Sequence, residues 1–384
     1  DWKRYTFGDI YTERKEPGSE ELPLLMVSIH SGVSDGEVDE EDLPKKVKRI
    51  ADKSQYKKAV SGDLVFNMMR AWQGAIGTVR TTGMVSPAYI VAEPNDTVYP
   101  LFMDYYTRTP QMINQIDRQS YGVTDFRKRL YWDSFIPIGC ILPPVAEQQK
   151  IAAILTTQDK VIELKEKRLA EKQRQKKYLM QQLLTGKKRL PGFNGAWKVD
   201  RLGKLFLERK ETNYEGLQML AITGAQGIIP RKELDLKDNS SEDKSKYLRV
   251  CVGDIGYNTM RMWQGISAYS DYEGIVSPAY TILKPSSSIN AKYFAYLFKT
   301  PEIIFLFYRF SQGLVDDTRN LKYENFKKIK VCYPPDTKEQ TAIAEVLSAA
   351  DREIGLLRQD IEQEKQKKKA LVQLLLTGIV RVKT

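Results

Sequence analysis

The chain has 384 residues, 60 of them Lys or Arg against 49 Asp or Glu, for a net charge of +11, with 42% apolar residues and 10% aromatic. Such apolar content excludes a disordered chain, and one histidine, His30, with three scattered cysteines excludes a His-rich metal site and a disulfide framework. The basic balance favours an acidic partner, nucleic acid first, although many soluble proteins are equally basic.

The opening Asp1-Trp2-Lys3-Arg4-Tyr5 does not read as a signal peptide. No apolar run approaches the roughly 18 residues that span a membrane. The expectation is a soluble, cytoplasmic protein without a membrane partner.

Residues 1–142 read as a globular domain whose most distinctive block is Gly62-Asp63-Leu64-Val65-Phe66-Asn67-Met68-Met69-Arg70-Ala71-Trp72-Gln73-Gly74. A strand-like run leads into the Met-Arg-x-Trp-Gln-Gly segment, and Gly74 predicts a tight turn. Arginine can grip guanine O6/N7 bidentately and glutamine can pair with adenine N6/N7. Arg70 and Gln73 are therefore candidate DNA contacts, with Asn67 a further amide. Trp72 reads either as a core plug or as a DNA contact. Asp63 and Val85-Ser86-Pro87-Ala88-Tyr89 are expected to fix turns and strand ends. Candidate phosphate-binding cations are Lys45, Lys46, Lys48, Arg49, Lys53, Lys57 and Lys58, then Arg127, Lys128 and Arg129, with Tyr121 in the same Ser-x-Gly segment.

Residues 143–190 open with Pro143-Pro144, which forces extended backbone. A helical stretch of about 40 residues, about 60 Å long, follows and ends at Leu183-Leu184-Thr185-Gly186, with Gly186 placed as a C′ glycine. Leu155, Ile162, Leu169 and Leu183 fall at heptad spacing, interrupted at Lys176.

Residues 191–333 and 334–384 repeat the same plan. Gly253-Asp254-Ile255-Gly256-Tyr257-Asn258-Thr259-Met260-Arg261-Met262-Trp263-Gln264-Gly265 starts 191 residues after its counterpart, and Val276-Ser277-Pro278-Ala279-Tyr280 keeps that offset. Arg261, Gln264, Asn258 and Trp263 thus duplicate the first candidate set, and Arg309, Arg319 and Lys322 add cations. Pro334-Pro335 opens the second helix, where Thr337 and Gln340 suggest a capping box. Its seam is Leu347, Ile354, Ile361 and Leu375, interrupted at Lys368, and it ends at Leu375-Leu376-Thr377-Gly378. The period is too long for a solenoid, so this is domain duplication.

Two similar domains with two such helices predict an α+β fold whose helices pair as an antiparallel coiled coil, with pseudo-two-fold symmetry. The competing arrangement lays each helix on its own domain. Residues 160–190 carry eleven Lys or Arg against three Asp or Glu, and residues 352–384 eight against four. These stretches hold all the positive excess, so the globular domains are near neutral and must contact DNA through placed residues. The helix lysines read as a solvated face, as phosphate contacts or as a surface for partner protein.

No Walker A or Rossmann GxGxxG sequence is present. Tyr333-Pro334-Pro335-Asp336 lacks the aromatic that an amino-methyltransferase loop carries after its prolines. No paired carboxylates or metal cluster stand out, so no catalytic residue, metal or cofactor is expected on this chain.

The Trp-Lys start of each half, the Gly-Asp-x-x-x-Asn-x-Met-Arg-x-Trp-Gln-Gly and Ser-Pro-Ala-Tyr blocks, the Pro-Pro-x-x-Glu-Gln helix start and the Leu-Leu-Thr-Gly helix end together resemble the specificity subunit of type I restriction-modification systems. The resemblance covers essentially the whole chain. It implies two target recognition domains, each binding one half of a bipartite double-stranded DNA site, with the helices setting the spacer. It also implies two modification subunits that bind S-adenosylmethionine, and restriction subunits using ATP and Mg that can join them. The two halves are more alike than is usual in that family, which predicts similar, inverted half-sites. A helical scaffold without base readout is the alternative.

Overall fold

The computed structural model describes residues 2–34, 55–124, 127–224, 227–234 and 243–383. Lys45, Lys46, Lys48, Arg49 and Lys53 lie outside them. The chain divides into two compact units, one formed by Asp1–Glu166 with Asp360–Thr384 and the other by Lys167–Gln359.

In the first unit, apolar alternation builds a four-stranded antiparallel sheet in the order Tyr11–Glu13, Tyr89–Pro94, Leu64–Asn67, Ile76–Thr78. Successive side chains leave a strand on opposite faces. Leu64, Phe66, Ile90 and Ala92 accordingly join the larger core, while Val65 and Val91 join a smaller one with Leu25, Val27 and Val85. Phe135 anchors the larger core, its ring stacked 4.4 Å from that of Phe7 and tilted against that of Phe66 at 4.7 Å. Lys3–Thr6 pairs with Gly139–Leu142 where the chain leaves the domain.

The second unit repeats this plan, with the sheet order Phe206–Glu208, Tyr280–Pro285, Ile255–Asn258, Ser267–Tyr269. Phe326 takes the place of Phe135, packed on Tyr257, Phe206 and Phe298. Lys198–Arg201 pairs with Lys330–Tyr333.

The long helices run Val145–Leu183 and Thr337–Leu376. In each unit a segment of one lies antiparallel to a segment of the other. In the first unit Glu166 meets Lys365, Lys165 meets Asp360 and Glu364, and Gln158 meets Glu364. In the second, Lys172 meets Glu353 and Lys176 meets Asp351. The seam residues Leu155, Ile162, Leu183, Leu347, Ile354, Ile361 and Leu375 are buried, and Leu169 is half-buried. Many of the helix lysines therefore serve the helix pair itself. That includes both seam interruptions, because Lys176 is paired with Asp351 and Lys368 with Asp159.

The predicted capping box at the second helix does not form. Asp336 takes the cap, its Oδ1 accepting from the Lys338 amide at 2.8 Å. Thr337 is already helical, and Gln340 is buried. Gln340 instead donates to the Pro334 carbonyl and accepts from the Asn290 amide. Gln148 does the same in the first unit, donating to Pro143 and Thr97 carbonyls and accepting from the Tyr99 amide. A buried amide that satisfies several backbone groups locks each helix start to its own domain.

A second clamp repeats as well. The Tyr105 hydroxyl donates to Asp159, which pairs with Lys368, and the Tyr296 hydroxyl donates to Asp351, which pairs with Lys176. Each helix end packs on the tryptophan that starts a domain. Gly378 lies against Trp2 and Gly186 against Trp197. Arg381 to Glu147 and Arg189 to Glu339 secure the same ends.

Candidate nucleic-acid interface

Both Met-Arg-x-Trp-Gln-Gly segments form one local structure. The strand ends at Asn67 or Asn258, whose side-chain carbonyl accepts from the amide two residues on, at 2.9 Å in each case. A single 3-10 turn follows, Ala71–Gln73 or Met262–Gln264. Gly74 at φ 100° and Gly265 at φ 80° close it in the left-handed region that glycine adopts freely. The turn is held from outside by two backbone bonds. The Leu130 amide donates to the Met68 carbonyl and Leu321 to Thr259, both at 2.8 Å, and the amides of Met68 and Thr259 donate to the carbonyls of Ala88 and Ala279. That last bond is the structural role of the Ser-Pro-Ala-Tyr block.

Two bidentate ion pairs brace the strand start. Arg14 donates to Asp63 through Nε at 2.7 Å and Nη2 at 3.2 Å, and Arg209 to Asp254 at 2.7 and 3.1 Å. Both aspartate side chains are 2% exposed. Asp63 raises the Arg14 guanidinium well above its ordinary range, chiefly by hydrogen bonding. The same carboxylates accept the Val60 and Cys251 amides, so they fix the turns as the sequence predicts.

On this frame Arg70, Gln73, Arg261 and Gln264 are exposed, and no hydrogen bond or ion pair ties their side chains among the described residues. A guanidinium and an amide on a braced turn can pair with base edges without first losing an internal partner. Trp72 and Trp263 are half-buried beneath them, and each indole N–H donates to the carbonyl of Met69 or Met260. Each tryptophan also carries a cation over its ring. Lys128 Nζ stands 4.9 Å from the Trp72 centroid and Arg319 Cζ 6.0 Å from that of Trp263.

The other sequence candidates are placed differently. Asn67 and Asn258 spend their carbonyls on the turn. Lys57 is half-buried and donates to the Tyr89 carbonyl at 2.9 Å, which assigns it to the Ser-Pro-Ala-Tyr turn. Burial lowers its pKa. Tyr121 is 63% exposed and pairs with Arg129 through a two-residue backbone bridge. Arg127 is exposed in the same segment. The residue that occupies the place of Arg319 in the first domain is Lys128, 191 positions earlier, not Arg127. That offset was available in the sequence.

The structure adds one supporting residue that no motif flagged. Lys299 donates to the Gly265 carbonyl at 2.8 Å, and burial, with a smaller contribution from Lys176, pushes it down to about 8. Among the described residues no cluster of metal-ligating side chains occurs, and no helix is long and apolar enough to cross a membrane.

Residues 197–366 match the type I restriction modification DNA specificity domain. A putative type I restriction enzyme MjaX specificity subunit from Methanocaldococcus jannaschii is 28% identical over 268 residues, 63% of this chain and 59% of that relative's length. The MjaVIII specificity subunit of the same organism is 24% identical over 86% of this chain and 83% of its own. The chain is thus similar, in sequence and in part of its family match, to the specificity subunits of type I restriction-modification systems. Solved structures of that family share the fold. The HsdS subunit from Thermoanaerobacter tengcongensis covers 99% of this chain and 97% of its own at a TM-score of 0.52 and 18% identity. The S subunit from M. genitalium covers 98% and 96% at 0.57 and 13%. The family match covers the second half of the chain, and the duplicated turn, ion pair and helix-start glutamine give the first half the same parts.

Proposed function

We propose that this chain is the non-catalytic subunit that gives a type I restriction-modification enzyme its DNA specificity. Each globular domain binds one half of a bipartite site, and the long helices set the spacer and dock modification subunits. The observation that carries this reading is the braced turn built twice, with its Arg and Gln free. A scaffold without base readout gives no reason to hold the same two DNA-competent side chains in one conformation at both places. Arg70 and Gln73 would read one half-site, and Arg261 and Gln264 the other. Lys128, Arg319, Arg127 and Tyr121 would contact the flanking backbone.

Adenine methylation and its S-adenosylmethionine belong to the two modification subunits, which must take the target base out of the stack. ATP and Mg belong to restriction subunits that join them. Anisotropy of the chain with purified modification subunit tests the reading. A specific duplex should bind at least about 10³-fold more tightly than a random one at physiological salt, whereas equal binding contradicts base readout.

A further inference from the structure

The second domain carries a cationic basin whose described counterpart in the first is lined by Arg4, Tyr5, Thr6, Asp9 and Gly139. The cationic basin is an open depression of about 700 Å³ lined by Asp200, Arg201, Lys204, Lys327, Lys328 and Lys330. The backbone beneath it is the same in both domains. Leu202 and Gly203 donate to the carbonyls of Ile329 and Lys327, as Phe7 and Gly8 do to those of Ile138 and Ile136. The side chains differ throughout. Where the second domain has Arg201, Lys204, Lys327, Lys328 and Lys330, the first has Thr6, Asp9, Ile136, Pro137 and Gly139.

The local carboxylates do not balance this charge. Asp200 is taken by Lys204, with the Tyr333 hydroxyl and Lys198 also on it, and Lys204 is the chief reason its pKa is lowered. Glu324 is taken by Lys327. Arg201, Lys328 and Lys330 are in no ion pair among the described residues; Lys328 donates to the neutral Asn325 amide and adds only a minor electrostatic pull on Glu324. Arg201 and Lys330 are direct cross-strand partners. Like charges in that position destabilise a sheet, so the arrangement suits a state in which an anion lies across them.

We infer that the basin binds the phosphodiester backbone of DNA outside the bases read by the second domain, an inference that rests on the DNA-binding function proposed above. Protein interfaces are depleted in lysine and depend on buried aromatic or arginine anchors. This basin is exposed and almost wholly cationic, as protein–DNA interfaces are. Its contribution is independent of sequence and confined to one side of the bipartite site.

The test replaces Arg201, Lys328 and Lys330 with Gln in the full chain and measures anisotropy with a random-sequence duplex. Loss of three phosphate contacts should lower the slope of log affinity against log salt by about 2.7. The wild-type affinity should then fall about forty-fold more than that of the variant between about 50 and 200 mM salt. Lys330→Gln alone relieves the cross-strand repulsion, so it spares the fold, and should lower the slope by about 0.9. An unchanged slope in both variants overturns the inference. An unchanged slope with failed assembly on purified modification subunit overturns it in favour of an acidic protein surface. Arg261→Ala with Gln264→Ala separates this from the parent reading. That variant should lose sequence preference and keep the salt slope, and retained preference would sink the reading of the turns while leaving the basin to be decided by its slope.

Discussion

In the first domain the cation above the turn tryptophan is Lys128, neutralised by Asp117 at 2.7 Å. In the second it is Arg319, paired with Asp316 at 3.3 Å, which lies 4.1 Å from the Tyr308 ring centroid as well as over Trp263. Beneath this difference almost nothing changes. The Arg–Asp pair, the asparagine turn, the left-handed glycine and the two backbone bonds recur at matching positions. Duplication has therefore kept the parts that aim the side chains and varied the parts around them. A buried ion pair cannot lose one member cheaply, whereas a rim cation can be exchanged for another.

The largest test of this equality is the removal of the frame. Asp63→Ala and Asp254→Ala each remove the buried partner of a guanidinium that keeps only more exposed carboxylates, Glu16 and Glu93 for Arg14 and Glu211 for Arg209, and should destabilise their own domain by about 1.5–3 kcal/mol. Urea unfolding followed by tryptophan fluorescence measures both. A loss well under 1 kcal/mol in one domain alone would break the equivalence.

Next come the exposed side chains. Arg261→Ala and Gln264→Ala should each cost about 1–3 kcal/mol of discrimination at one half-site, read from competition anisotropy with duplexes substituted base by base. Stability should be unchanged, because neither side chain has a structural partner.

Gly74→Ala and Gly265→Ala place a Cβ in the left-handed region, at about 1–2 kcal/mol each. The second should cost more, since its Cβ would meet Ile304 Cδ1 at 2.7 Å against 3.3 Å to Ile113 Cδ1 for the first. Paired thermal melts decide the order.

The smallest effect lies in the helix pair of the first unit. Lys165, then Gln158, hold Glu364 down to about 2. A carboxyl whose folded pKa is depressed stabilises above its unfolded value, near 4.3, and loses that contribution as pH falls towards 2. Glu364→Gln should remove this part of the acid limb of a melting-temperature profile and leave the neutral region little changed. An unaltered acid limb would show that the pair carries no stability.

The period of the duplication and the heptads made most of the fold legible in the sequence, because backbone spacing alone determines which faces can pair. The turn motif was legible for the same reason, as Arg70 and Gln73 recur with their glycine. What stayed hidden was long-range bonding. Gln340 looked like a local cap because Pro334 and Asn290, its partners, come together only in the folded chain. Lys57 and Lys58 read alike as surface cations, yet only Lys57 is drawn under the Ser-Pro-Ala-Tyr turn. The basin escaped because its cations come from segments more than a hundred residues apart, Arg201 on one and Lys330 on the other.

Whether each turn reads its own half-site is decided by sequencing the methylome of cells carrying the wild-type chain and, separately, the Arg261→Ala, Gln264→Ala chain. The expected result is a bipartite methylated motif in which the double variant relaxes the bases of one half and leaves the other half and the spacer intact. A motif unchanged in both halves, or relaxed equally in both, would contradict it.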